Sequence, residues 1–209
     1  MSKKNNQMII IGLTGGIGSG KTTISNHLKK MNFPVFDSDL EVKKIYIKKD
    51  PSLIRIIKKI DKNGLSIKKN KINKKVLGQI VFSSPKKLKL LELTIYKKLN
   101  TARMKFIKKN KNMKKKLVVL DTPLLFEKKL NKICDYTILA FAPKKIRTKR
   151  VMKRPNMNKD RLNKIIQRQM PEAKKRKLSN FVVHTYLGKW YSKKELKQII
   201  GKILKQHKP

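Results

Sequence analysis

The sequence has almost no cysteine: Cys134 is the only one in 209 residues. A disulfide within the chain is therefore excluded, and a lone thiol suits a reducing compartment. No apolar run approaches the roughly 20 residues that a membrane span requires. The N-terminal segment 1–16 has basic residues before an apolar stretch, as a signal peptide has, but that stretch is too short and leads into a glycine-rich loop. We therefore expect a cytoplasmic protein with no membrane partner.

Acidic residues are also scarce: the chain has 12 Asp and Glu against 56 Lys and Arg, which gives a formal net charge of +44. Such a charge attracts nucleic acids and other polyanions in a salt-dependent way. However, the lysines are spread over the whole chain, interleaved with Asn and Ile rather than gathered with aromatic residues. We interpret the charge mainly as compositional drift on solvated faces, with selected polyanion binding as the alternative. We expect nonspecific binding to nucleic acid but no specific nucleic-acid partner.

The sequence contains no internal repeat and no linker rich in proline, glycine or serine, which favours one folding unit. Short apolar runs rich in β-branched residues predict strands, and helical patterns separate them. The predicted strands lie at 7–15, 33–37, within 115–127, at 135–142 and at 180–186. The stretch from about 51 to 110 has a helical pattern with no strand, and a last helix is expected from about Ser192. This alternation predicts an α/β fold with a doubly wound, mainly parallel sheet of about five strands.

A glycine-rich stretch follows the first predicted strand. Residues 15–22, GGIGSGKT, match G-x-x-x-x-G-K-[ST] at every fixed position, and a helix is predicted to follow. The glycines let backbone N–H groups turn toward phosphate oxygens, and the helix N-terminus adds a favourable dipole. Lys21 can reach the β- and γ-phosphates of a nucleotide, and the Thr22 hydroxyl can bind Mg²⁺. This P-loop alone does not separate GTPases, motors and kinases, but no Asn-Lys-x-Asp motif follows and the chain is short for a motor.

The few acids are concentrated in two windows, DSDLE and DTPLLFE, that each follow a predicted strand. These windows contain Asp37, Asp39, Glu41, Asp121 and Glu127. They lie at the carboxyl edge of the predicted sheet, where ligands of such folds bind. We interpret Asp37 as the base that accepts the proton of an acceptor hydroxyl, and Asp121 as the acid that binds Mg²⁺ or its waters. The alternative is that Asp37 or Asp39 caps the next helix.

Arginine is concentrated in one segment, since five of the eight arginines lie between residues 147 and 168. They are Arg147, Arg150, Arg154, Arg161 and Arg168. The planar guanidinium group suits phosphates better than the ammonium group of lysine. We expect a lid that closes over ATP and stabilises charge on the transferring phosphoryl group. The alternative is a solvated helix face.

The stretches IGLTGGIGSGKTT, FDSD, DTPLLFE, RTKRVMKR and IIQRQMP follow one another along the chain. In order and spacing they resemble the dephospho-CoA kinase family over about residues 8–190. The resemblance implies transfer of the ATP γ-phosphoryl group to the ribose 3′-hydroxyl of dephospho-CoA, which gives coenzyme A and ADP. It also implies a P-loop core, a helical lobe that binds the acceptor, and a helical lid.

This resemblance suggests how the chain is organised. We assign the core to residues 7–50, 115–143 and 180–209, the acceptor lobe to about 51–114, and the lid to about 144–179. The partners expected are ATP and dephospho-CoA, with Mg²⁺ as the cofactor. We expect the protein to be a monomer.

The residue patterns and the resemblance together give the candidate site. Its catalytic members are Lys21, Asp37 and Arg150. Its ATP-binding members are Gly16, Ile17, Gly18, Ser19, Gly20, Lys21, Thr22, Thr23, Arg147 and Arg154. Its acceptor-binding members are Asp37, Asp39, Lys74 and Tyr96. Thr22 and Asp121 would hold Mg²⁺, partly through water, and Gln169 falls on the glutamine before the end of the lid.

The chain departs from the family's pattern mainly on the acceptor side. Tyr96 and Lys97 stand where the family usually has His-Pro, and Lys74 stands where it usually has an arginine. The Asn-Gly that usually follows the last strand is replaced within the sequence HTYLG.

The residues alone leave two other functions open. Another P-loop kinase, acting on a nucleoside phosphate or other small molecule, would share the ATP site and differ in its acceptor. A basic P-loop ATPase that binds nucleic acid would use the positive charge, although the sequence shows no aromatic stacking platform.

Overall fold

The strands of the protein are short and largely apolar, as expected where a parallel sheet is covered on both faces. The computed structural model describes residues 8–48, 50–68 and 71–207. Its strands are β1 (Ile9–Thr14), β2 (Val35–Asp37), β3 (Ile67–Lys68), β4 (Lys71–Ile72), β5 (Leu117–Asp121), β6 (Tyr136–Phe141) and β7 (Phe181–His184). Five of them form one sheet in the order β2-β5-β1-β6-β7. The predicted α/β fold with a doubly wound, five-stranded parallel sheet is confirmed.

The helices lie between these strands along the chain, except the last one, which follows β7. They are α1 (Lys21–Lys30), α2 (Ser38–Ile47), α3 (Pro51–Ile60), α4 (Lys74–Phe82), α5 (Pro85–Asn112), α6 (Lys144–Met152), α7 (Lys159–Gln167), α8 (Glu172–Leu178) and α9 (Lys189–Gln206). A short 3₁₀ helix spans Leu130–Ile133. Helix α9 begins three residues before the predicted start at Ser192. In the described part of the chain, no helix is both long enough and apolar enough to cross a membrane.

The position of β1 in the sheet determines where a ligand can bind. This strand pairs in parallel with β5 on one side and with β6 on the other. The chain therefore proceeds from β1 to β2 in one direction and from β5 to β6 in the other. Ligands of open α/β sheets bind where the strand order reverses in this way, beyond the carboxyl ends of the strands. The loop after β1 and the end of β5 lie at that point.

The described residues form two compact units. The first comprises the described residues within Met1–Phe36 and Asn110–Pro209, and the second comprises those within Asp37–Lys109. In the first unit, α1 and α9 contribute apolar side chains to a core that they share with the sheet. Members of this core include Ile11, Leu13, Ile24, Leu28, Val119, Ile138, Val183, Leu196 and Ile203.

The second unit has its own apolar core, formed by α2, α3, α4 and α5. Its buried members are Ile45, Leu53, Ile57, Ile60, Leu77, Val81 and Leu91. Helix α3 begins after Asp50, whose carboxylate accepts hydrogen bonds from the backbone N–H groups of Ser52 and Leu53. Asn73 caps α4 in the same way. These caps satisfy helix N–H groups that have no partner within the helix.

The prediction of a strand-free segment from 51 to 110 is wrong, because β3 and β4 form an antiparallel hairpin. The chain leaves α3 through a turn in which Gly64 has φ 69° and the Asp61 carboxylate accepts from the Ser66 N–H at 2.6 Å. The Ser66 side chain first, and then the backbone N–H groups of Ser66, Leu65 and Gly64, lower the pKa of Asp61 against the opposing effect of burial. Strands of two residues are too short to show an alternating pattern, and the Asn63-Gly64 pair lies before β3 rather than between the two strands.

Some sequence predictions fall outside the described residues. The basic residues that were compared with those of a signal peptide lie within residues 1–7. The predicted core segments also include residues 49, 208 and 209. The boundaries predicted for the core, acceptor lobe and lid remain predictions.

Candidate active site

The phosphate loop, residues 15–22, connects β1 to α1. Gly18 has φ 77° and Gly20 has φ 84°, a conformation that residues with side chains rarely adopt. Gly20 is also the N-cap of α1. The glycines therefore allow the backbone to turn sharply into the helix, whose N-terminal N–H groups form a natural anion site.

Lys21 and Asp121 form an ion pair beside this loop. Lys21 is the first residue of α1, and its Nζ contacts Oδ1 of Asp121, the last residue of β5. Only 2% of Asp121 is exposed. A carboxylate buried to this extent needs a compensating cation. The two sequence motifs predicted to handle phosphate and magnesium thus lie in contact within the first unit.

The same acid and the start of α1 provide a donor set suited to Mg²⁺. Asp121 offers carboxylate oxygens, and Thr22 offers an exposed hydroxyl one residue beyond Lys21. Mg²⁺ prefers oxygen ligands, is often bound through one or two carboxylates, and completes its shell with water and substrate phosphates. The residues present therefore fit this ion.

Arg150, on α6, lies against the phosphate loop and the end of β7. Its Nη1 donates to the backbone oxygen of Gly18 at 3.3 Å and to the hydroxyl of Thr185 at 3.2 Å. Its Nη2 donates to the backbone oxygen of Thr185 at 2.8 Å. The guanidinium group is thus fixed beside the loop by three hydrogen bonds.

Thr185 is a buried residue of the site that the sequence analysis missed. Its hydroxyl hydrogen-bonds to the backbone oxygens of Ser19 and Phe141. A Cβ atom at Gly20 would lie only 2.9 Å from the Thr185 side chain, so glycine at that position also permits this close packing. A single threonine after a strand forms no distinctive pattern, although it lies in the HTYLG stretch where the chain departs from the family's Asn-Gly.

Arg147 and Glu172 form a second ion pair at the loop, with Nη1 and Oε2 3.4 Å apart. Both side chains are largely buried, and Glu172 Oε2 lies against Gly16, where any Cβ atom would clash with it. Burial raises the pKa of Glu172, while Arg147, Lys175 and the Gly16 N–H act in the opposite direction. Arg147 was expected at the ATP site, but Glu172 was missed. Its burial could not be read from a segment so rich in charged residues.

Gln169 contacts the adjacent loop residue. Its Oε1 accepts a hydrogen bond from the Ile17 N–H at 3.1 Å. The glutamine that the family resemblance singled out therefore lies directly on the phosphate loop. Gln169 and Glu172, from the same segment, therefore both contact the start of the loop.

Glu127 holds this segment in place. Its Oε1 is 2.9 Å from Nζ of Lys175 and accepts from the Met170 N–H at 2.7 Å. Lys175 is fully buried and also donates to the backbone oxygen of Pro123 at 2.7 Å. Glu127, the last acid of the DTPLLFE window, therefore anchors the start of α8 to the segment after β5.

Two other arginines of the 147–168 segment are exposed. Arg154 lies just beyond the end of α6. Arg161 donates to the backbone oxygen of Asn156 at 2.9 Å. Arg147 and Arg150, by contrast, have contacts that link them to the loop or to residues beside it.

Asp37 and Asp39 belong to the second unit. Asp37 ends β2, is covalently joined to Phe36 of the first unit, and caps α2 by accepting from the Leu40 N–H at 3.0 Å. The capping role considered as an alternative for Asp37 is therefore present, and a carboxylate that caps a helix can still accept a proton. Asp39 is exposed in the first turn of α2.

Lys74 and Tyr96 also lie in the second unit. Lys74 begins α4, and its Nζ lies 4.9 Å from the centre of the Tyr46 ring on α2. Tyr96 is half-buried on α5. The cation–π contact brings the predicted acceptor residue Lys74 to the helix that Asp37 caps.

Comparison with known proteins extends this description to the whole chain. The family model for dephospho-CoA kinase matches residues 9–186. A dephospho-CoA kinase of Bartonella quintana (strain Toulouse) is 35% identical over 199 residues, which are 95% of this chain and 100% of that protein.

Two solved structures are similar to the fold. A protein of Thermus thermophilus has a TM-score of 0.79 and 30% identity, covering 94% of this chain and 98% of that one. A dephospho-CoA kinase from Campylobacter jejuni has a TM-score of 0.63 and 23% identity, covering 93% and 96%. Since the family model matches most of the chain and a relative with 35% identity matches it almost end to end, this chain belongs to the dephospho-CoA kinase family.

Proposed function

We propose that this protein transfers the γ-phosphoryl group of ATP to the ribose 3′-hydroxyl of dephospho-CoA and releases coenzyme A and ADP. The observation that carries this proposal is the family match over residues 9–186, which includes the phosphate loop, Asp37, Asp121 and the segment 144–179. The comparisons do not favour another small-molecule kinase or a nucleic-acid-dependent ATPase.

On the ATP side, the loop from Gly16 to Thr23 cradles the phosphates. Lys21 neutralises their charge, and its contact with Asp121 supports this role because it holds the ammonium group at the sheet edge. Arg150 stabilises charge on the transferring phosphoryl group from its fixed position beside Gly18. Arg147 and Arg154 complete the ATP-binding set from the lid.

Mg²⁺ is the cofactor in this proposal. Thr22 and Asp121 would hold it, partly through water, with phosphate oxygens supplying further ligands. When bound, the ion neutralises charge that develops on the phosphates. Asp121 has Lys21 as a partner, so both groups are oriented before the nucleotide arrives.

On the acceptor side, Asp37 accepts the proton of the 3′-hydroxyl. Its carboxylate is held by the Leu40 N–H at the end of a strand, which gives a general base the fixed orientation it needs. Asp39, Lys74 and Tyr96 contribute to acceptor binding. Phosphoryl transfer is catalysed mainly by positioning the reactants and stabilising charge, so the groups named on the ATP and acceptor sides are sufficient for the reaction.

The cellular setting follows from the proposed reaction. We place the enzyme in the cytoplasm as a monomer, with ATP and dephospho-CoA as its specific partners. Nucleic acid would bind only through the general positive charge, without specificity.

An acceptor test by mass spectrometry examines the proposal directly. Nuclease-treated protein is incubated with ATP, Mg²⁺ and dephospho-CoA, with AMP, dTMP and shikimate offered as rival acceptors. We expect dephospho-CoA alone to gain a phosphoryl group, and Lys21→Ala to lose the activity. ADP formation without phosphorylation of any acceptor, or phosphorylation of a rival instead, would refute the assignment.

A further inference from the structure

The start of the phosphate loop is in contact with acceptors from the protein itself. The Ile17 N–H donates to Gln169, and the Glu172 carboxylate lies against Gly16. Backbone N–H groups of such loops normally cradle phosphate oxygens. Gln169 therefore uses the kind of hydrogen bond that a bound anion would use, and Glu172 brings a negative charge to the same part of the loop.

The surroundings of Glu172 are those of an anion site. Its Oε2 lies 3.4 Å from Nη1 of Arg147 and also lies against the backbone of Gly16, so the carboxylate has a guanidinium group and the loop backbone as neighbours. Any Cβ atom at Gly16 would clash with this carboxylate and with Arg147 Nη1, so the ion pair lies directly on the loop backbone. A guanidinium group and a backbone N–H are the donors that bind phosphate best.

This arrangement leaves hydrogen-bonding capacity unused. Among the described residues, the buried atoms Glu172 Oε1 and Arg147 Nε have no hydrogen-bond partner. Buried polar atoms without partners are costly. A phosphate group, with three terminal oxygens, could accept from the Arg147 Nε as well as its Nη1, whereas the carboxylate does not satisfy both.

We propose that Glu172 competes with the terminal phosphate of ATP for the start of the phosphate loop, and that Arg147 passes from Glu172 to the phosphate when ATP binds. The inference rests on the proposed function only in that the loop binds ATP. Two anions cannot share one guanidinium group at this distance without repulsion. Glu172 therefore lowers the affinity for ATP, because the phosphate must displace it from Arg147. In the absence of ATP, the same carboxylate holds Arg147 beside the loop.

Near-isosteric substitutions test this competition by their opposite effects on ATP binding. Glu172→Gln removes the competing charge, so we expect its ATP dissociation constant to fall about threefold to tenfold. Gln169→Glu adds a carboxylate acceptor at the Ile17 N–H, so we expect weaker binding by a similar factor. Calorimetric titration with ATP in Mg²⁺ buffer, without any acceptor, measures both. Asp160→Asn is the matched control, since it removes one exposed acid from α7 and leaves the loop contacts intact.

Lowering the pH provides a second measurement on the same proteins. Burial raises the pKa of Glu172, against the opposing effects of Arg147 on α6 and Lys175 on α8. Protonation of Glu172 removes the competing charge from the unmodified protein. The difference in ATP affinity between Glu172→Gln and the unmodified protein should therefore become smaller as the pH falls. ATP also changes its protonation state with pH, but it does so equally for both proteins, so this effect does not contribute to the difference between them.

Three results would overturn the inference: equal or weaker ATP binding by Glu172→Gln, no weakening by Gln169→Glu, or an Asp160→Asn control that binds ATP as tightly as Glu172→Gln. Thermal unfolding of each variant identifies any that fails to fold, and the other substitution then decides. Because no acceptor is present, these outcomes do not depend on whether dephospho-CoA is the substrate. A failed acceptor test would refute the proposed function and leave the competition result standing.

Discussion

At the scale of single residues, the scarce acids near the loop each have a definite cation as partner. Asp121 pairs with Lys21, and Glu172 pairs with Arg147. In a chain with 56 basic residues, an acid is expected to have a cation nearby by chance. A buried ion pair is different, because it is stable only when the two side chains are well oriented toward each other. These acids therefore fix particular lysine and arginine side chains at the loop.

Asp37 allows its catalytic and capping roles to be separated by one substitution. Asparagine is as good an N-cap as aspartate but cannot accept the proton at neutral pH. We expect Asp37→Asn to lower kcat for dephospho-CoA phosphorylation by about 10²- to 10⁴-fold, with unchanged thermal stability and ATP binding. Steady-state kinetics and thermal unfolding measure both properties. Asp39→Asn is the control and should retain more activity; an Asp37→Asn variant with normal kcat would remove Asp37 as the base.

At the scale of elements, α8 is joined to the segment after β5 by a buried ion pair. Lys175 is fully buried and has Glu127 and the Pro123 carbonyl oxygen as partners. Since Glu127 also accepts from the Met170 N–H, one carboxylate fixes both the helix and the chain that leads into it. This attachment places Gln169 and Glu172 on the loop.

Lys175→Met removes the cation and leaves Glu127 largely buried without its charge partner. We expect the free energy of unfolding to fall by about 3 kcal/mol, measured by denaturant titration. Adding Glu127→Gln should recover part of the loss, because the uncompensated charge is then gone. Lys44→Met is the control: Lys44 is half-exposed and pairs with Glu41 at 3.3 Å, so its loss should change stability by less than about 0.5 kcal/mol. Equal effects at Lys175 and Lys44 would contradict the anchoring role.

The elements also show what sequence could and could not predict. The sheet strands and the phosphate loop were predictable because apolar runs and glycine spacing depend on neighbouring residues alone. The hairpin was missed because its strands have two residues each. Glu172 and Thr185 were missed because they contact residues distant in the sequence. Glu172 pairs with Arg147, and Thr185 hydrogen-bonds to Ser19. The spacing of neighbouring residues does not indicate such contacts.

At the scale of the whole molecule, the net charge of +44 opposes folding, because compaction brings like charges together. The buried pairs at the loop compensate only a few of these charges. Most lysines lie on exposed faces, where salt screens their repulsion within a Debye length of about 10 Å at 0.1 M. The stability of this protein should therefore depend on ionic strength more than that of a protein with balanced charge.

We expect the melting temperature to rise by about 5 °C when NaCl is raised from about 0.01 M to about 0.3 M. Screening weakens the repulsion between exposed lysines strongly and the buried pairs only slightly, so the net effect is stabilising. Thermal unfolding followed by circular dichroism measures the shift. Anion binding at the phosphate loop would also stabilise the fold, but that contribution depends on Lys21. The same rise in Lys21→Ala would assign it to the charge of the whole molecule, and a melting temperature that falls with salt would show that local ion pairs outweigh the repulsion.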